Sequence, residues 1–276
     1  MALLQVNYLS EQLFRTVPLQ VILPTDKLAF TREGYLNEDG KKYKTLYLLH
    51  GLLGNYTDWV SGTRIQRWAE EKNLAVVMPS GDNAFYVNQA LPRNNYEEFI
   101  GRELVQMTRR MFPLSDKRED TFIAGLSMGG YGAIRNGLKY SDTFGYIAGL
   151  SSALHTFEGE TGNIKGVTNV YGDLDEAKLT DKNPRVALEN VIKEGRPMPK
   201  IYLACGLDDG LLKANRIFRD LLIEKGVDLT YVEEPGAHEW DFWDRQIKKV
   251  VDWLPLEETE KARNSGNVSK KAGKKK

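Results

Sequence analysis

Ser127 stands in Gly125-Leu126-Ser127-Met128-Gly129-Gly130, between a strand-like run that ends at Ala124 and a helical pattern that begins at Met128. Glycines two residues before and two after a serine suit a sharp strand-to-helix turn, where larger side chains would collide and the serine itself takes a strained backbone. The hydroxyl is then exposed at a helix N-terminus, where backbone N–H groups and the helix dipole favour negative charge. The chemistry this permits is nucleophilic attack at an acyl carbon. A serine hydroxyl is a weak nucleophile on its own, so a base and an orienting acid must follow in the chain order serine, acid, histidine.

The chain has three histidines. His238, in Glu234-Pro235-Gly236-Ala237-His238-Glu239-Trp240, lies on a loop after the last predicted strand, where a base is needed. His50 precedes the serine and reads as structural; His155 falls in an insertion that shapes a pocket wall. For the acid, Gly206-Leu207-Asp208-Asp209-Gly210 follows the penultimate strand. The acid in such sheets stands three residues after the glycine that ends the strand, which selects Asp209 and leaves Asp208 as the alternative; Asp-Asp-Gly is also an ordinary turn. His50-Gly51-Leu52-Leu53-Gly54 follows an early buried strand, and its glycines let backbone N–H groups approach a developing negative charge. Leu52 N–H, with Met128 N–H, is the expected oxyanion hole; Leu53 is the alternative donor, and a plain tight turn is the competing reading. Trp59, Tyr86, His155 and Trp240 are candidates to line the substrate pocket, with Phe85 and Trp243 nearby, each aromatic having core packing as its ordinary alternative.

These residues need a scaffold that brings distant loops together. Strand-length apolar runs at 5–9, 16–23, 45–49, 74–78, 121–124, 146–150, 201–204 and 229–232 alternate, after the first two, with helical patterns at 63–72, 96–111, 128–139, 183–193, 210–225 and 240–253. The alternation predicts an α/β fold, a mostly parallel central sheet with antiparallel N-terminal strands and helices on both faces. Residues 31–42 read as a turn region. Residues 153–182 read as an insertion of loop and short helix at the strand carboxyl ends, where ligands bind in open sheets. Residues 1–256 form the expected single domain and 257–276 a disordered basic tail.

Composition narrows the rest. At 276 residues, 41% hydrophobic and 28% charged, the chain can bury a large core. No apolar stretch reaches the eighteen or so residues of a membrane span, and the N-terminus lacks a signal-peptide pattern, so the expected location is the cytoplasm, with no membrane partner. A single cysteine excludes an internal disulfide and a cysteine-rich metal site. No metal or organic cofactor is expected. Seven of the 38 basic residues lie in 261–276 with no acid among them, leaving 31 against 38 acids in 1–260, a net charge of −7. An acidic body argues against nucleic acid as a partner. The alternatives of another class are a ligand-binding protein on a hydrolase scaffold, which would be expected to lack one of the catalytic members, and a polyanion-binding role for the tail.

Four segments together resemble one family: Gly125-Leu126-Ser127-Met128-Gly129-Gly130-Tyr131-Gly132-Ala133, Leu49-His50-Gly51-Leu52-Leu53-Gly54, Cys205-Gly206-Leu207-Asp208-Asp209, and Gly236-Ala237-His238-Glu239-Trp240-Asp241-Phe242-Trp243. They look like the bacterial tributyrin esterase group of the esterase D, S-formylglutathione hydrolase and feruloyl esterase branch of the α/β hydrolases. The opening Gln5-Val6-Asn7-Tyr8 and Arg15-Thr16-Val17-Pro18 extend the likeness from near residue 1 to about 255. The resemblance implies a serine carboxylesterase acting on short-chain acyl esters, and homo-oligomers are common in the family. Feruloyl or acetyl carbohydrate esters and the S-formylglutathione thioester are its alternative substrates. Leu53-Gly54, Leu126 and Tyr131 depart from the usual formylglutathione hydrolase residues and weigh against the thioester.

Overall fold

Strands β3 (Thr45–Leu49), β4 (Ala75–Pro79) and β5 (Thr121–Leu126) are buried at every position. Strands covered on both faces read as continuous apolar runs rather than as alternation. In this computed structural model, which describes residues 1–25, 42–89, 92–158 and 170–256, they join β1 (Ala2–Ser10), β2 (Arg15–Leu23), β6 (Tyr146–Leu150), β7 (Lys200–Gly206) and β8 (Leu229–Glu234). The eight strands form one sheet in the order β1-β2-β4-β3-β5-β6-β7-β8. β1 and β2 pair antiparallel, β2 meets β4 antiparallel, and the remaining pairs are parallel. This is the fold the alternation predicts.

The helices are α1 (Asp58–Gly62), α2 (Ile65–Glu71), α3 (Tyr96–Glu98), α4 (Leu104–Met111), α5 (Met128–Lys139), α6 (His155–Glu158), α7 (Leu174–Lys178), α8 (Pro184–Lys193), α9 (Leu212–Glu224) and α10 (Trp240–Trp253). Successive residues of β3 point to opposite faces and into separate cores. Tyr47 and Leu49 pack with residues of α4, α5, α8 and α9, whereas Leu46 and Leu48 pack with α1, α2 and α10.

The predicted helix over 63–72 is α2, and a separate short helix that the pattern does not announce, α1, precedes it. Thr63 is extended, its hydroxyl donates to Trp59 O at 2.5 Å and accepts Ile65 N–H at 3.2 Å, so one helix closes and the next opens at that residue. The predicted 96–111 helix passes through a π-helical turn at Phe99–Glu103. Asn183 caps α8, accepting Arg185 N–H at 3.1 Å, with Pro184 at the first helical position. Most of the turn region at 31–42 and all of the tail at 257–276 lie outside the described residues, as do 159–169 of the insertion; its described parts include α6 and α7. Among the described residues no helix is long and apolar enough to cross a membrane.

The chain runs from β3 to its neighbour β4 on one side and then returns to β5 on the other side of β3. That reversal opens a crevice at the strand carboxyl ends. Leu49 is level with Gly125, Leu126 with Leu150, and Leu150 with Ala204, so the loops after β3, β5, β6 and β7 leave the sheet side by side.

Candidate active site

Ser127 joins β5 to α5 with φ 53° and ψ −116°. A left-handed serine is strained, by on the order of 1–3 kcal/mol, and persists only where its surroundings enforce it. Three backbone hydrogen bonds do so: Ser127 N–H donates to Leu150 O at 2.9 Å, and Ser127 O accepts Tyr131 N–H at 3.1 Å and Ala153 N–H at 2.9 Å. The flanking glycines allow the backbones to meet. A Cβ on Gly125 would lie 2.3 Å from Gly129 O, and one on Gly129 would lie 2.4 Å from Leu49 O.

The loops after β7 and β8 are brought together in the same way. A Cβ on Gly206 would lie 2.2 Å from Gly236 O. Leu207 N–H donates to Glu234 O at 2.9 Å and Asp208 N–H to Gly236 O at 3.0 Å. Asp208 therefore spends its backbone on joining the loops and leaves its side chain exposed, while Asp209 turns inward and is buried.

His238 Nδ1 lies 2.9 Å from Asp209 Oδ2, and its Nε2 lies 3.0 Å from Ser127 Oγ. A carboxylate can only accept, so Nδ1 carries the ring hydrogen and Nε2 is left to accept from the serine hydroxyl. Asp209 Oδ1 accepts Leu211 N–H at 2.8 Å. Burial pushes the Asp209 carboxyl up, but hydrogen bonds from His238, the Leu211 amide and Ser151 outweigh burial and hold it below its ordinary value. Trp243 packs against the His238 imidazole in a T-shape, centroids 4.9 Å apart at 89°.

His50 is placed differently. Its Nε2 accepts Gly81 N–H at 2.8 Å, which fixes the hydrogen on Nδ1, and Nδ1 donates to Gly51 O at 2.7 Å. Burial holds its pKa below the ordinary value, so the ring is a neutral brace between two loops, structural as its position in the sequence suggests.

Ser127 opens onto a cleft of about 370 Å³ with apolar walls from Leu52, Phe85, Met128, Ala153 and Leu211, and with His155 and His238 at its polar edge. Of the two candidate oxyanion donors after Gly51, Leu53 N–H is committed to Asn83 Oδ1 at 2.8 Å. Leu52 N–H and Met128 N–H have no backbone partner among the described residues.

Of the four expected pocket residues, His155 lines the cleft and Trp59, Tyr86 and Trp240 do not. Trp59 is buried with its indole N–H on Leu49 O at 3.0 Å, and Tyr86 is buried with its hydroxyl on His50 O at 2.9 Å. Trp240 sits T-shaped between Trp59 and Trp243, at 5.8 Å and 5.2 Å. All three brace the walls from behind. Leu211, Ala153 and Ser151 are near the reacting groups without having been singled out by sequence. Their only signal is that each closely follows a strand end or the acid.

Residues 10–254 match the model of the Esterase family. An acetyl esterase of Caldicellulosiruptor saccharolyticus is 41% identical over 263 residues, 92% of this chain and 98% of its own. Two solved structures from Staphylococcus aureus are each 34% identical, covering 92% of this chain and 98% of theirs. One is fluorophosphonate-binding serine hydrolase F, at a TM-score of 0.80, and the other an S-formylglutathione hydrolase, at 0.79. This chain belongs to the Esterase family, in the esterase D, S-formylglutathione hydrolase and feruloyl esterase branch of the α/β hydrolases, and is a carboxylic ester hydrolase.

Proposed function

We propose that the protein hydrolyses short-chain acyl esters of small, soluble alcohols by two-step acyl transfer through Ser127, His238 and Asp209. The observation that carries this reading is the unbroken hydrogen-bonded line from Ser127 Oγ through both ring nitrogens of His238 to Asp209, opening on a small apolar cleft.

Ser127 Oγ attacks the ester carbonyl while His238 Nε2 takes its proton. Asp209 keeps the ring in the productive tautomer and stabilises the imidazolium that forms. The leaving alcohol receives that proton, and water then attacks the acyl-enzyme with His238 again as the base. The oxyanion falls to Leu52 N–H and Met128 N–H. Gly51 O accepts from His50 Nδ1–H at 2.7 Å and from Gly54 N–H at 3.2 Å. The C=O and N–H of a trans peptide point in opposite directions, so these bonds turn Leu52 N–H away from His50. Met128 N–H stands at the positive end of α5.

A cleft of about 370 Å³ is at the small end of ligand sites and favours a short acyl group. On p-nitrophenyl esters, acetate and butyrate are expected to outrun longer chains, and to outrun ferulate esters and S-formylglutathione. Ser127→Ala is expected to lower kcat on p-nitrophenyl acetate by on the order of 10⁴-fold or more, with the fold intact by circular dichroism. Full activity in that variant ends this reading.

A further inference from the structure

Phe85, on the loop after β4, lines the cleft with almost all of its surface buried. Its backbone is left-handed, φ 51°, and so is that of Tyr86, φ 58°, a conformation that bulky residues keep only where their surroundings enforce it. Three hydrogen bonds enforce it. Two tie the loop to the one after β3: Gly81 N–H donates to His50 Nε2 and Leu53 N–H to Asn83 Oδ1, each at 2.8 Å. The third comes from α5, where the wholly buried Asn136 donates its side-chain amide to Tyr86 O at 3.0 Å and accepts from the Arg135 guanidinium at 3.0 Å. Behind the Phe85 ring stand Tyr131 and Tyr171, both edge-on, with centroids 6.0 Å and 5.4 Å away. The ring has no room to retreat from the cleft, because its backbone is pinned and its far side is packed.

Sheet topology decides which part of an ester meets this wall. β4 and β8 lie on opposite sides of β5, so the loops that carry Phe85 and His238 reach Ser127 from opposite flanks. His238 must hand its proton to the leaving alcohol oxygen, which puts the alcohol on the His238 flank. The carbonyl oxygen turns to the Leu52 and Met128 N–H groups. The acyl chain takes the direction that remains, toward Phe85.

We propose that Phe85 sets the limit on acyl-chain length, its ring closing the far end of the acyl branch of the cleft. This rests on the roles given above to Ser127, His238 and the two N–H groups, and assigns the size limit to one side chain and one half of the ester. Leu52 and Met128 are the other cleft residues on this flank, so the branch takes an uncharged aliphatic acyl group. An acetyl or butyryl chain lies short of or against the ring, and a longer one collides with it.

The test measures kcat/KM on two ester series, p-nitrophenyl esters from acetate to octanoate and acetates of alcohols from ethanol to octanol. The proteins compared are the parent, Phe85→Gly, Phe85→Leu and Ser127→Ala. Glycine adopts a left-handed backbone freely, so Phe85→Gly removes the ring and leaves the loop its conformation. Phe85→Leu keeps apolar bulk at the site and decides the matter if the glycine variant does not fold. Each methylene that gains a buried place is worth about fourfold, and removing the ring makes room for about two or three. Phe85→Gly is therefore expected to raise the ratio of octanoate to acetate by roughly ten- to fiftyfold, and Phe85→Leu by about threefold. The order of preference in the alcohol series is expected to stay as in the parent. A folded Phe85 variant with an unmoved acyl profile overturns the inference, and so does one in which the alcohol profile moves instead. An active Ser127→Ala overturns the underlying reading instead.

Discussion

Two loops bring a histidine close to the turn at Ser127, and the two rings do opposite things. His50, on the loop after β3, receives a backbone N–H on one nitrogen and gives the other to a backbone carbonyl. His238, on the loop after β8, sits between a carboxylate and a hydroxyl. His50 is buried, whereas the His238 side chain retains 38% of its exposure. Both follow a strand at the same end of the sheet, so position does not separate them. Their partners do: two peptide groups lock a neutral ring, while an acid on one side and a hydroxyl on the other leave a ring that can take up a proton and give it back.

The largest effects that test this contrast fall on the His238 side. His238→Ala is expected to cost on the order of 10⁴-fold in kcat on p-nitrophenyl acetate, because among the described residues no other base is hydrogen-bonded to Ser127 Oγ. Asp209→Asn is expected to cost about 10³-fold, since an amide at that site can stabilise the wrong tautomer and cannot stabilise the imidazolium. Asp208→Asn, one residue away with an exposed side chain, is expected to stay within about twofold of the parent, because its joining role uses only its N–H. A large loss at Asp208 with little at Asp209 would reverse the assignment of the acid.

On the other side, His50→Gln is expected to lower kcat by about tenfold with KM little changed. The Gly51–Leu52 peptide loses the donor that turns it, and a misaimed oxyanion donor costs less than a missing one, which is worth roughly a hundredfold or more. The same variant is expected to lose about 1–3 kcal/mol of stability in urea, as Gly81 N–H is left without its acceptor. If His50→Gln matched His238→Ala in activity, the division between brace and base would fail.

Which residues meet at Ser127 is legible in sequence because glycines report backbone contacts. Gly125 and Gly129 mark the turn, and Gly206 and Gly236 mark the approach of the two loops that carry Asp209 and His238. Alternating apolar runs likewise show the sheet and its two covered faces. What surrounds the site is less legible, because residue type does not say where a polar atom finds its partner. Trp59 and Tyr86 sit in loops beside the cleft, yet the indole N–H and the phenol hydroxyl are satisfied by backbone carbonyls, which draws the rings behind the wall. Ser151 is one of two adjacent serines after a strand and carries no spacing signal; its φ and its Trp243 partner exist only in three dimensions. The short helix α1 is hidden for the same reason, since a threonine at the start of a helical pattern does not announce that its hydroxyl closes one helix before it and caps the next.

The smallest effect separates the two loops by pH rather than by rate. Burial lowers the pKa of His50 in the folded protein, whereas the unfolded chain holds it at the ordinary 6.5. Its neutral form therefore contributes stability that is fully present above pH 6.5 and is lost as pH falls from there toward the lowered folded value, because the unfolded chain then binds the extra proton. One proton changes the unfolding free energy by at most about 1.4 kcal/mol per pH unit. His155, lowered by burial and by the nearby His238, adds to the same window. Urea midpoints measured from pH 7.5 down to pH 5.5 should therefore fall for the parent, fall less steeply for His50→Gln, and fall less steeply again when His155→Gln is added. Parallel curves for the parent and His50→Gln would mean that the brace is not held neutral by burial, and the contrast between the two histidines would then rest on geometry alone.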